Sequence, residues 1–313
     1  MFDFKKKRFN NLYPIVSPKM SLKQTLGAIH EILYKSSHKN PSSLMPQIKP
    51  NLELFEKSSD ALKFIWFGHS TVLLNLDGMK ILIDPMFSTY ASPIKGTFKR
   101  FQPPVLSLKE LPSIDVIVIS HDHYDHLDKK SIQFFKHQET RFLVPLGIKR
   151  YLLKWGIAEH KITELDWHES SKMGSINFTA TPAHHFSGRS FLGHNTTLWA
   201  SWVIEGSKKV FFSGDSAYSP HFRDIGERYG GFDVAFMENG QYDKRWLYAH
   251  MMPQQTIQAI KDIQAKFFVP IHWSMFRLST HHWLDPMMQS LTITKEHNVP
   301  MLSPFLGEVI SIQ

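Results

Sequence analysis

The run His121-Asp122-His123-Tyr124-Asp125-His126 places four side chains that can bind a metal within six residues. It directly follows the apolar segment Asp115 to Ser120, which predicts a short buried strand. The first two histidines are two residues apart, so they can project the same way from an extended chain, while the aspartate and the last histidine turn toward a neighbouring position. One loop can therefore serve two adjacent cations, and the apolar strand before it argues against a surface histidine cluster.

The composition limits which side chains can hold these cations. The 313 residues include 18 histidines and no cysteine, so disulfides and thiolate ligands are excluded and any metal must bind His, Asp or Glu. The hydrophobic content of 42% and the charged content of 20% fit a soluble globular enzyme. No stretch approaches about 18 consecutive apolar residues, and no apolar segment follows the basic cluster Lys5 to Arg8. We therefore expect neither a transmembrane helix nor a signal peptide, and a cytoplasmic protein.

The chain divides into two unequal parts by pattern. Residues 1–60 predict an N-terminal extension that packs on or flanks the core, with a helix from Ser21 to Ser36 and an irregular connection from Asn40 to Lys49. An amphipathic membrane-surface segment is the alternative interpretation of this extension, and the basic cluster favours it. Residues 61–313 form the predicted hydrolase domain.

Short apolar segments and helical patterns alternate along residues 61–313 and predict an α/β fold. Predicted strands are Lys63 to Phe67, Ser70 to Leu76, Lys80 to Ile83, Asp115 to Ser120, Phe142 to Pro145, Ile176 to Thr181, Leu198 to Ile204, Val210 to Ser213, Asp233 to Met237, Phe267 to Ile271 and Val309 to Ile312. Predicted helices are Lys129 to Gln138, Ile148 to Lys154, His221 to Tyr229, Pro253 to Ala265 and His282 to His297. Strands dominate both halves and helices follow them, which favours two sheets packed face to face with helices outside, an αββα four-layer sandwich.

Three further loops at strand ends carry possible metal ligands. Thr181-Pro182-Ala183-His184-His185 offers either of its histidines, and Ser213-Gly214-Asp215-Ser216 offers an aspartate that is well placed to bridge two cations. The third loop, Pro270-Ile271-His272-Trp273, offers the histidine His272. Each loop is a weak signal alone, because Gly-Asp turns and structural histidines are common. Together with the first run they predict a two-metal site.

Imidazole and carboxylate ligands suit Zn²⁺, and Mn²⁺ or Fe also fit; we expect two Zn²⁺ per chain. Two cations about 3.5–4 Å apart can share a hydroxide that attacks a carbonyl or phosphorus centre. Such a mechanism requires no protein nucleophile, in keeping with the absence of cysteine and of a Gly-x-Ser-x-Gly motif.

The order of these ligands resembles the metallo-β-lactamase superfamily, and from about Leu62 onward the chain resembles N-acylphosphatidylethanolamine-hydrolysing phospholipase D. The segments that carry the closer resemblance are Trp66 to Thr71, Ile83 to Ser88, Ala91 to Pro93, Leu111 to Asp115, Ser120 to Asp128, Glu164 to Trp167, Phe222 to Gly226 and Tyr242 to Trp246.

The resemblance implies a division of the ligands between two metals. One metal binds His121, His123 and His185, the second binds Asp125, His126 and His272, and Asp215 bridges them. His185 is preferred over His184 because it falls at the family's ligand position after Thr-Pro. Asp125 and Asp215 thereby also act in catalysis. Asp84 orients a ligating histidine, and His250 touches the substrate phosphate or the leaving oxygen.

The resemblance also implies a substrate. A metal-bridging hydroxide attacks phosphorus in N-acylphosphatidylethanolamine-like phospholipids and releases an N-acylethanolamine. The family implies peripheral membrane contact and a homodimer, and the net charge of +8 fits an anionic surface.

Other activities stay open at this point. Hydrolysis of another ester, such as a lactone or a small or cyclic phosphodiester, is the main alternative. A wide apolar groove beside the metals favours lipid, whereas a small polar pocket favours the alternative. A nuclease is disfavoured because Lys and Arg are dispersed, so no nucleic acid partner is expected. A non-catalytic metal-binding module is disfavoured by the complete ligand set.

Overall fold

The computed structural model describes residues 2–14, 20–34, 40–57, 61–189 and 193–313. In these ranges the strands, in chain order, are β1 (Phe2–Asp3), β2 (Arg8–Phe9), β3 (Leu62–Trp66), β4 (Val72–Leu76), β5 (Met79–Ile83), β6 (Val116–Val118), β7 (Arg141–Pro145), β8 (Ile162–Leu165), β9 (Ser170–Met173), β10 (Ile176–Thr181), β11 (Ser201–Glu205), β12 (Lys209–Phe212), β13 (Val234–Glu238), β14 (Phe268–Ile271) and β15 (Val309–Ile312). The helices are α1 (Leu22–Tyr34), α2 (Leu52–Glu56), α3 (Lys129–Phe134), α4 (Lys149–Lys154), α5 (His221–Tyr229), α6 (Pro253–Asp262) and α7 (Asp285–Glu296), with short 3-10 turns at Leu108–Glu110, Glu159–Lys161 and Lys244–Trp246.

Two mixed sheets organise the described chain. One has the order β15-β3-β4-β5-β6-β7-β8 and the other the order β14-β13-β12-β11-β10-β9. Each sheet contains a group of antiparallel strands next to a group of parallel strands. An Asp77-Gly78 turn joins β4 to β5, and both residues have positive φ (52° and 82°), as the favoured two-residue hairpin turn requires.

The apolar side chains of the strands alternate between a shared core and two outer layers. Phe64 and Leu74 of one sheet pack with Phe178 and Phe236 of the other, so the two sheets face each other. The opposite face of the first sheet packs against α2, α3 and α4, and that of the second sheet against α5, α6 and α7. The predicted αββα sandwich is therefore confirmed.

Several predicted boundaries were wrong for local reasons. The strand expected from Leu198 begins at Ser201, because the N–H groups of Leu198 and Ala200 donate to Leu146 and Ser120 at strand ends of the other sheet. The helix expected to reach Gln138 ends at Phe134, because the chain closes there into tight turns.

At the last predicted helix, α7 begins at Asp285 rather than at His282, since the Asp285 carboxylate accepts the His282 N–H. The elements that sequence patterns missed are β1, β2, α2, β8 and β9.

The N-terminal residues contact the body of the fold at several points. Helix α1 matches the prediction in its described part, whereas Ser36 lies outside the described residues. Its buried residues Ala28 and Ile32 pack against Trp246 and Ala249. Within the described ranges, none of the helices combines the length and apolar character needed to span a bilayer.

Candidate metal centre

The predicted ligand loops meet at one edge of the two sheets. Each follows the end of a strand: the histidine-rich run follows β6, His185 follows β10, Asp215 follows β12 and His272 follows β14. Among the described residues, two groups of four donors have ligand atoms that all lie within 4.8 Å of one another. The first group is His121, His123, His185 and Asp215; the second is His69, Asp125, His126 and His272.

The first group closes around one oxygen of Asp215. Its Oδ2 lies 3.6 Å from Nε2 of His121 and 3.8 Å from Nε2 of His185. Nδ1 of His123 lies 2.9 Å from the first of these ring nitrogens and 3.3 Å from the second. His184, the alternative in this loop, does not belong to either group.

The second group closes around the other oxygen of the same carboxylate. Oδ1 of Asp215 lies 3.2 Å from Nε2 of His126 and 3.0 Å from Nδ1 of His272. Oδ2 of Asp125 lies 3.4 Å from that His126 nitrogen. Asp215 thus directs one oxygen toward each group, which is the arrangement that a bridging carboxylate needs.

His69 joins the second group although sequence reasoning gave it no role. Its Nε2 lies 2.8 Å from Oδ2 of Asp125, and its Nδ1 is buried with no hydrogen-bond partner in the described part of the chain. It occupies the Gly68-His69 turn directly after β3, where Thr71 N–H donates to the Gly68 carbonyl. A histidine immediately after an apolar strand is the same signal that marked the other loops, so the pattern was present in the sequence.

Side chains behind the ligands hold their rings in place. Oδ2 of Asp84 lies 2.7 Å from Nδ1 of His126, and the same carboxylate accepts the Ser120 backbone N–H at 2.7 Å. Nδ1 of His185 lies 3.0 Å from the carbonyl oxygen of Ala249. Such contacts set which ring nitrogen is available to a metal.

A buried Glu238 and a partly buried His250 lie beside the donor groups. Nδ1 of His250 is 3.5 Å from Oε2 of Glu238, whose other oxygen accepts the Met251 N–H at 2.7 Å. The His250 ring stacks on His272, with ring centroids 4.9 Å apart. Burial raises the pKa of Glu238 to about 7, although the neighbouring imidazole opposes the shift. Sequence reasoning missed Glu238, which ends β13 much as the ligands follow their strands.

The protonation states of four candidate histidine ligands and of Asp215 suit metal binding. Burial lowers the pKa of four histidines, and the neighbouring imidazoles add to this for His121 and His272. These four rings, which are those of His121, His123, His185 and His272, are therefore neutral at pH 7 and can donate a lone pair. Burial acts to raise the pKa of Asp215, but the nearby histidines outweigh it and lower the pKa, so the carboxylate is ionised.

Two buried polar atoms of the donor set have no hydrogen-bond partner, and this supports a metal site here. His126 Nε2 and Asp215 Oδ1 are buried and accept or donate no hydrogen bond among the described residues. Buried polar atoms without partners are costly in proteins, which is why such atoms commonly mark an ion site. Neutral imidazoles and carboxylates are ligands that Zn²⁺ takes.

The backbone at this edge is held in unusual conformations. His69, Asp84 and His272 have positive φ values of 53°, 42° and 62°. Non-glycine residues adopt this region at a cost, and such residues cluster at functional sites. Gly214, with φ of 58°, precedes Asp215; an added Cβ there would lie 2.9 Å from the Ala200 carbonyl oxygen, so a side chain does not fit.

A cavity of about 390 Å³ opens onto both donor groups. Its floor includes His123, Asp125, His185, Asp215 and His272, together with His250. Its walls are mostly apolar and come from α1 and the segment just before it, from the loop around Trp246, and from the segments that follow β10 and β14. The apolar wall residues are Met20, Ala28, Ile29, Ile32, Phe186, Trp246, Tyr248, Ala249 and Leu278. The N-terminal helix therefore forms one side of the entrance to the site.

Residues 79–273 match the sequence family described as the beta-lactamase superfamily domain. A protein of Mycobacterium tuberculosis is 36% identical over 307 residues, covering 96% of this chain and 82% of the relative. The N-acyl-phosphatidylethanolamine-hydrolyzing phospholipase D 1 of Caenorhabditis elegans is 32% identical over 281 residues, covering 82% of this chain and 78% of the relative.

A solved structure supports the fold independently. The metallo hydrolase Igni18 of Ignicoccus hospitalis superposes with a TM-score of 0.62 over 81% of this chain and 99% of that one, at 21% identity. The family match, the two relatives and the clustered His and Asp donors agree with the resemblance found in the sequence. The chain belongs to the metallo-β-lactamase superfamily and is a metal-dependent hydrolase related to the N-acylphosphatidylethanolamine-hydrolysing phospholipases D.

Proposed function

We propose that the protein is a dinuclear zinc phosphodiesterase of phospholipase D type that hydrolyses N-acylphosphatidylethanolamine-like phospholipids. The observation that carries this proposal is the cavity whose polar floor is the donor cluster and whose walls are apolar. A ligand for such a cavity has a polar reacting group joined to a hydrocarbon chain. A membrane phospholipid has this construction, and the Caenorhabditis elegans relative bears the name of such an activity.

The size of the cavity suggests how much of a lipid enters it. A volume of about 390 Å³ lies at the lower end of small-molecule sites. It accommodates the phosphodiester and part of one chain, with Ala28, Ile29 and Ile32 of α1 along that chain. The remainder of the lipid stays outside, which is compatible with a substrate that is still seated in a bilayer.

The residues of the site divide the work between them. His121, His123 and His185 would hold one cation; Asp125, His126 and His272 would hold the second; and Asp215 would bridge. When bound, two cations lower the pKa of water and polarise the oxygens of a phosphoryl group. His250, held against Glu238, would donate a hydrogen bond from its other ring nitrogen to the phosphate or to the leaving oxygen. The apolar walls exclude water, which strengthens these polar contacts.

The outer face of α1 supports contact with a lipid surface. Leu22 and Leu26 lie one turn apart on the helix and expose 75% and 58% of their surface. Exposed apolar side chains on an amphipathic helix insert at the membrane interface. Because Ala28, Ile29 and Ile32 of the same helix line the cavity, this placement would bring the entrance to the lipid. The extension formed by residues 1–60 thus serves, in this proposal, as the docking element of the domain formed by residues 61–313.

A second candidate is hydrolysis of a smaller ester, such as a lactone or a cyclic phosphodiester. The modest cavity volume favours it, since a small substrate fits entirely inside. Its discriminating feature is independence from a lipid surface.

A hydrolysis panel tests the proposal. Zinc-loaded protein is assayed on vesicles of N-acylphosphatidylethanolamine, on phosphatidylethanolamine vesicles, on an aryl phosphodiester and on a lactone, with Asp215→Ala as the inactive reference. Preference for N-acylphosphatidylethanolamine, with loss in Asp215→Ala, supports the proposal. Preference for the lactone or the soluble diester, with no hydrolysis of either lipid, rejects it in favour of the second candidate.

A further inference from the structure

The N-terminal segment reaches the candidate metal centre through one side chain. The carboxamide of Asn11 pairs with the backbone of His185: its Nδ2 donates to the His185 carbonyl oxygen at 2.9 Å, and its Oδ1 accepts the His185 N–H at 3.0 Å. The same Oδ1 accepts Nε1–H of Trp199 at 3.0 Å. The side chain therefore makes the same two hydrogen bonds to His185 that a neighbouring β-strand would make.

The loop that carries His185 depends on such pairing because it has left the sheet. Strand β10 ends at Thr181, and His185 follows four residues later without a ladder partner. Side chains accept backbone N–H groups of this stretch: Ser216 accepts that of His184, Asn11 that of His185, and Asn195 that of Ser187. Only the second of these comes from the N-terminal segment.

Asn11 itself is held in place by its neighbours. The buried Phe9 packs with Ala183, Leu198 and Trp199. Its N–H donates to the Asn195 carbonyl oxygen at 2.8 Å, and its own carbonyl oxygen accepts from Asn195 Nδ2 at 3.2 Å. The segment is thus anchored beside the loop by Phe9, two residues before Asn11.

The ring of His185 has two fixed contacts once its backbone is set. Nδ1 faces the Ala249 carbonyl oxygen, and Nε2 faces the donor group around Asp215. A shift of the backbone moves the ring away from both. The other donor group, around Asp125, His126 and His272, has no contact with Asn11 among the described hydrogen bonds.

We propose that Asn11 is a positioning residue of the metal centre, which holds His185 in register for the cation shared with His121 and His123. This inference rests on the metal binding assumed in the proposed function, but not on the lipid substrate. It makes the N-terminal segment part of the site, although that segment lies outside the matched family region 79–273.

The test measures metal rather than activity alone. Wild type, Asn11→Ala and the control Leu12→Ala are loaded with Zn²⁺, dialysed against a buffered chelator and analysed for zinc per chain; Leu12 is the next residue and is 44% exposed. We expect wild type and the control to keep both metals. Asn11→Ala should bind one metal about 10- to 100-fold more weakly, the range found when a residue that orients a ligand is removed. The other metal should bind as in wild type.

A second variant covers the case in which Asn11→Ala does not fold. Asn11→Asp keeps the acceptor for His185 N–H and loses the donor to its carbonyl, so it should weaken the same metal site. Two zinc ions held with wild-type affinity in the variants would overturn the inference, and so would equal weakening of both sites. Wild type that holds two zinc ions and hydrolyses no lipid of the panel would contradict the proposed function alone.

Discussion

Oδ2 of Asp84 lies 2.7 Å from Nδ1 of His126, and both side chains are completely buried. The contact leaves Nε2 of His126 as the ring nitrogen that faces Asp215. Burial acts to lower the pKa of His126, but three surrounding carboxylates outweigh it and raise the pKa well above its ordinary value. A cation at Nε2 would therefore have to displace a proton, and Asp84 would stabilise the ligating ring.

We expect Asp84→Asn to weaken metal binding at the His126 group by about 10- to 100-fold, because the outer carboxylate no longer orients the ring or raises its basicity. Zinc analysis after dialysis against a chelator measures this loss. Asp77→Asn is the control, since Asp77 lies in an exposed hairpin turn and accepts a hydrogen bond from Ser207. Unchanged zinc content in Asp84→Asn would show that Asp84 has no part in metal binding.

His250 is expected to act on substrate rather than to hold a metal. His250→Ala should lower kcat by about 100-fold, a typical contribution of a proton-donating side chain, while zinc content stays at the wild-type level. Glu238→Gln should have a smaller effect, since it removes the charge that holds His250 but keeps the shape. Steady-state kinetics on the aryl phosphodiester, paired with zinc analysis, separates the two roles. Loss of one zinc in His250→Ala would make it a ligand instead, as its position near Asp215 and His272 also permits.

The exposed side of α1 is expected to govern action on lipid but not on soluble substrate. The double variant Leu22→Glu/Leu26→Glu should bind anionic vesicles at least about tenfold more weakly, because two apolar side chains no longer enter the interface. Hydrolysis of the soluble diester should be unchanged. Leu153→Glu, on the exposed side of α4, is the matched control. Vesicle cosedimentation measures binding, and equal binding by all three proteins would reject this surface.

His221 is expected to make the fold sensitive to acid. Its ring is buried, with Nδ1 2.5 Å from Ser219 Oγ and Nε2 3.2 Å from Ser216 Oγ. Burial lowers its pKa from 6.5 to about 3, and the nearby His184 contributes. Below pH 6.5, His221 therefore binds a proton in the unfolded chain but not in the folded protein. The stabilisation is complete above pH 6.5 and is lost as the pH falls toward about 3.

Protonation of His221 in the unfolded chain should lower the free energy of unfolding by about 2 kcal/mol between pH 6.5 and 5. Urea unfolding at the two values should show that His221→Gln loses less stability than wild type over this interval. His137→Gln, at an exposed position, serves as the control. A wild-type pH dependence in His221→Gln would contradict this account.

The sequence was most informative where the chemistry is local. Short apolar strands followed at once by His or Asp marked the loops that meet at the site, because a strand's inward pattern and the end of the strand are both visible in a few neighbouring residues. The fold class followed from the same alternation. Boundaries such as that of β11 were missed because Leu198 and Ala200 bond to residues more than fifty positions away.

Long-range contacts escaped prediction for a physical reason. Asn11 and His185 are 174 residues apart, and nothing in either local sequence indicates that one side chain will complete the backbone of the other. The role of Glu238 could not be predicted for the same reason, because it depends on the position of His250, which the fold brings beside it.

The sequence by itself determined the chemical inventory: His and Asp donors without cysteine, placed at the ends of buried strands. Only the tertiary structure decided which donors lie together in each group. The packing of two sheets brought His185 and not His184 to the cluster, added His69 to the second group, and directed one oxygen of Asp215 toward each group. Donor geometry depends on ångström-scale positions of loops from distant strands, and those positions are set by the core between the sheets.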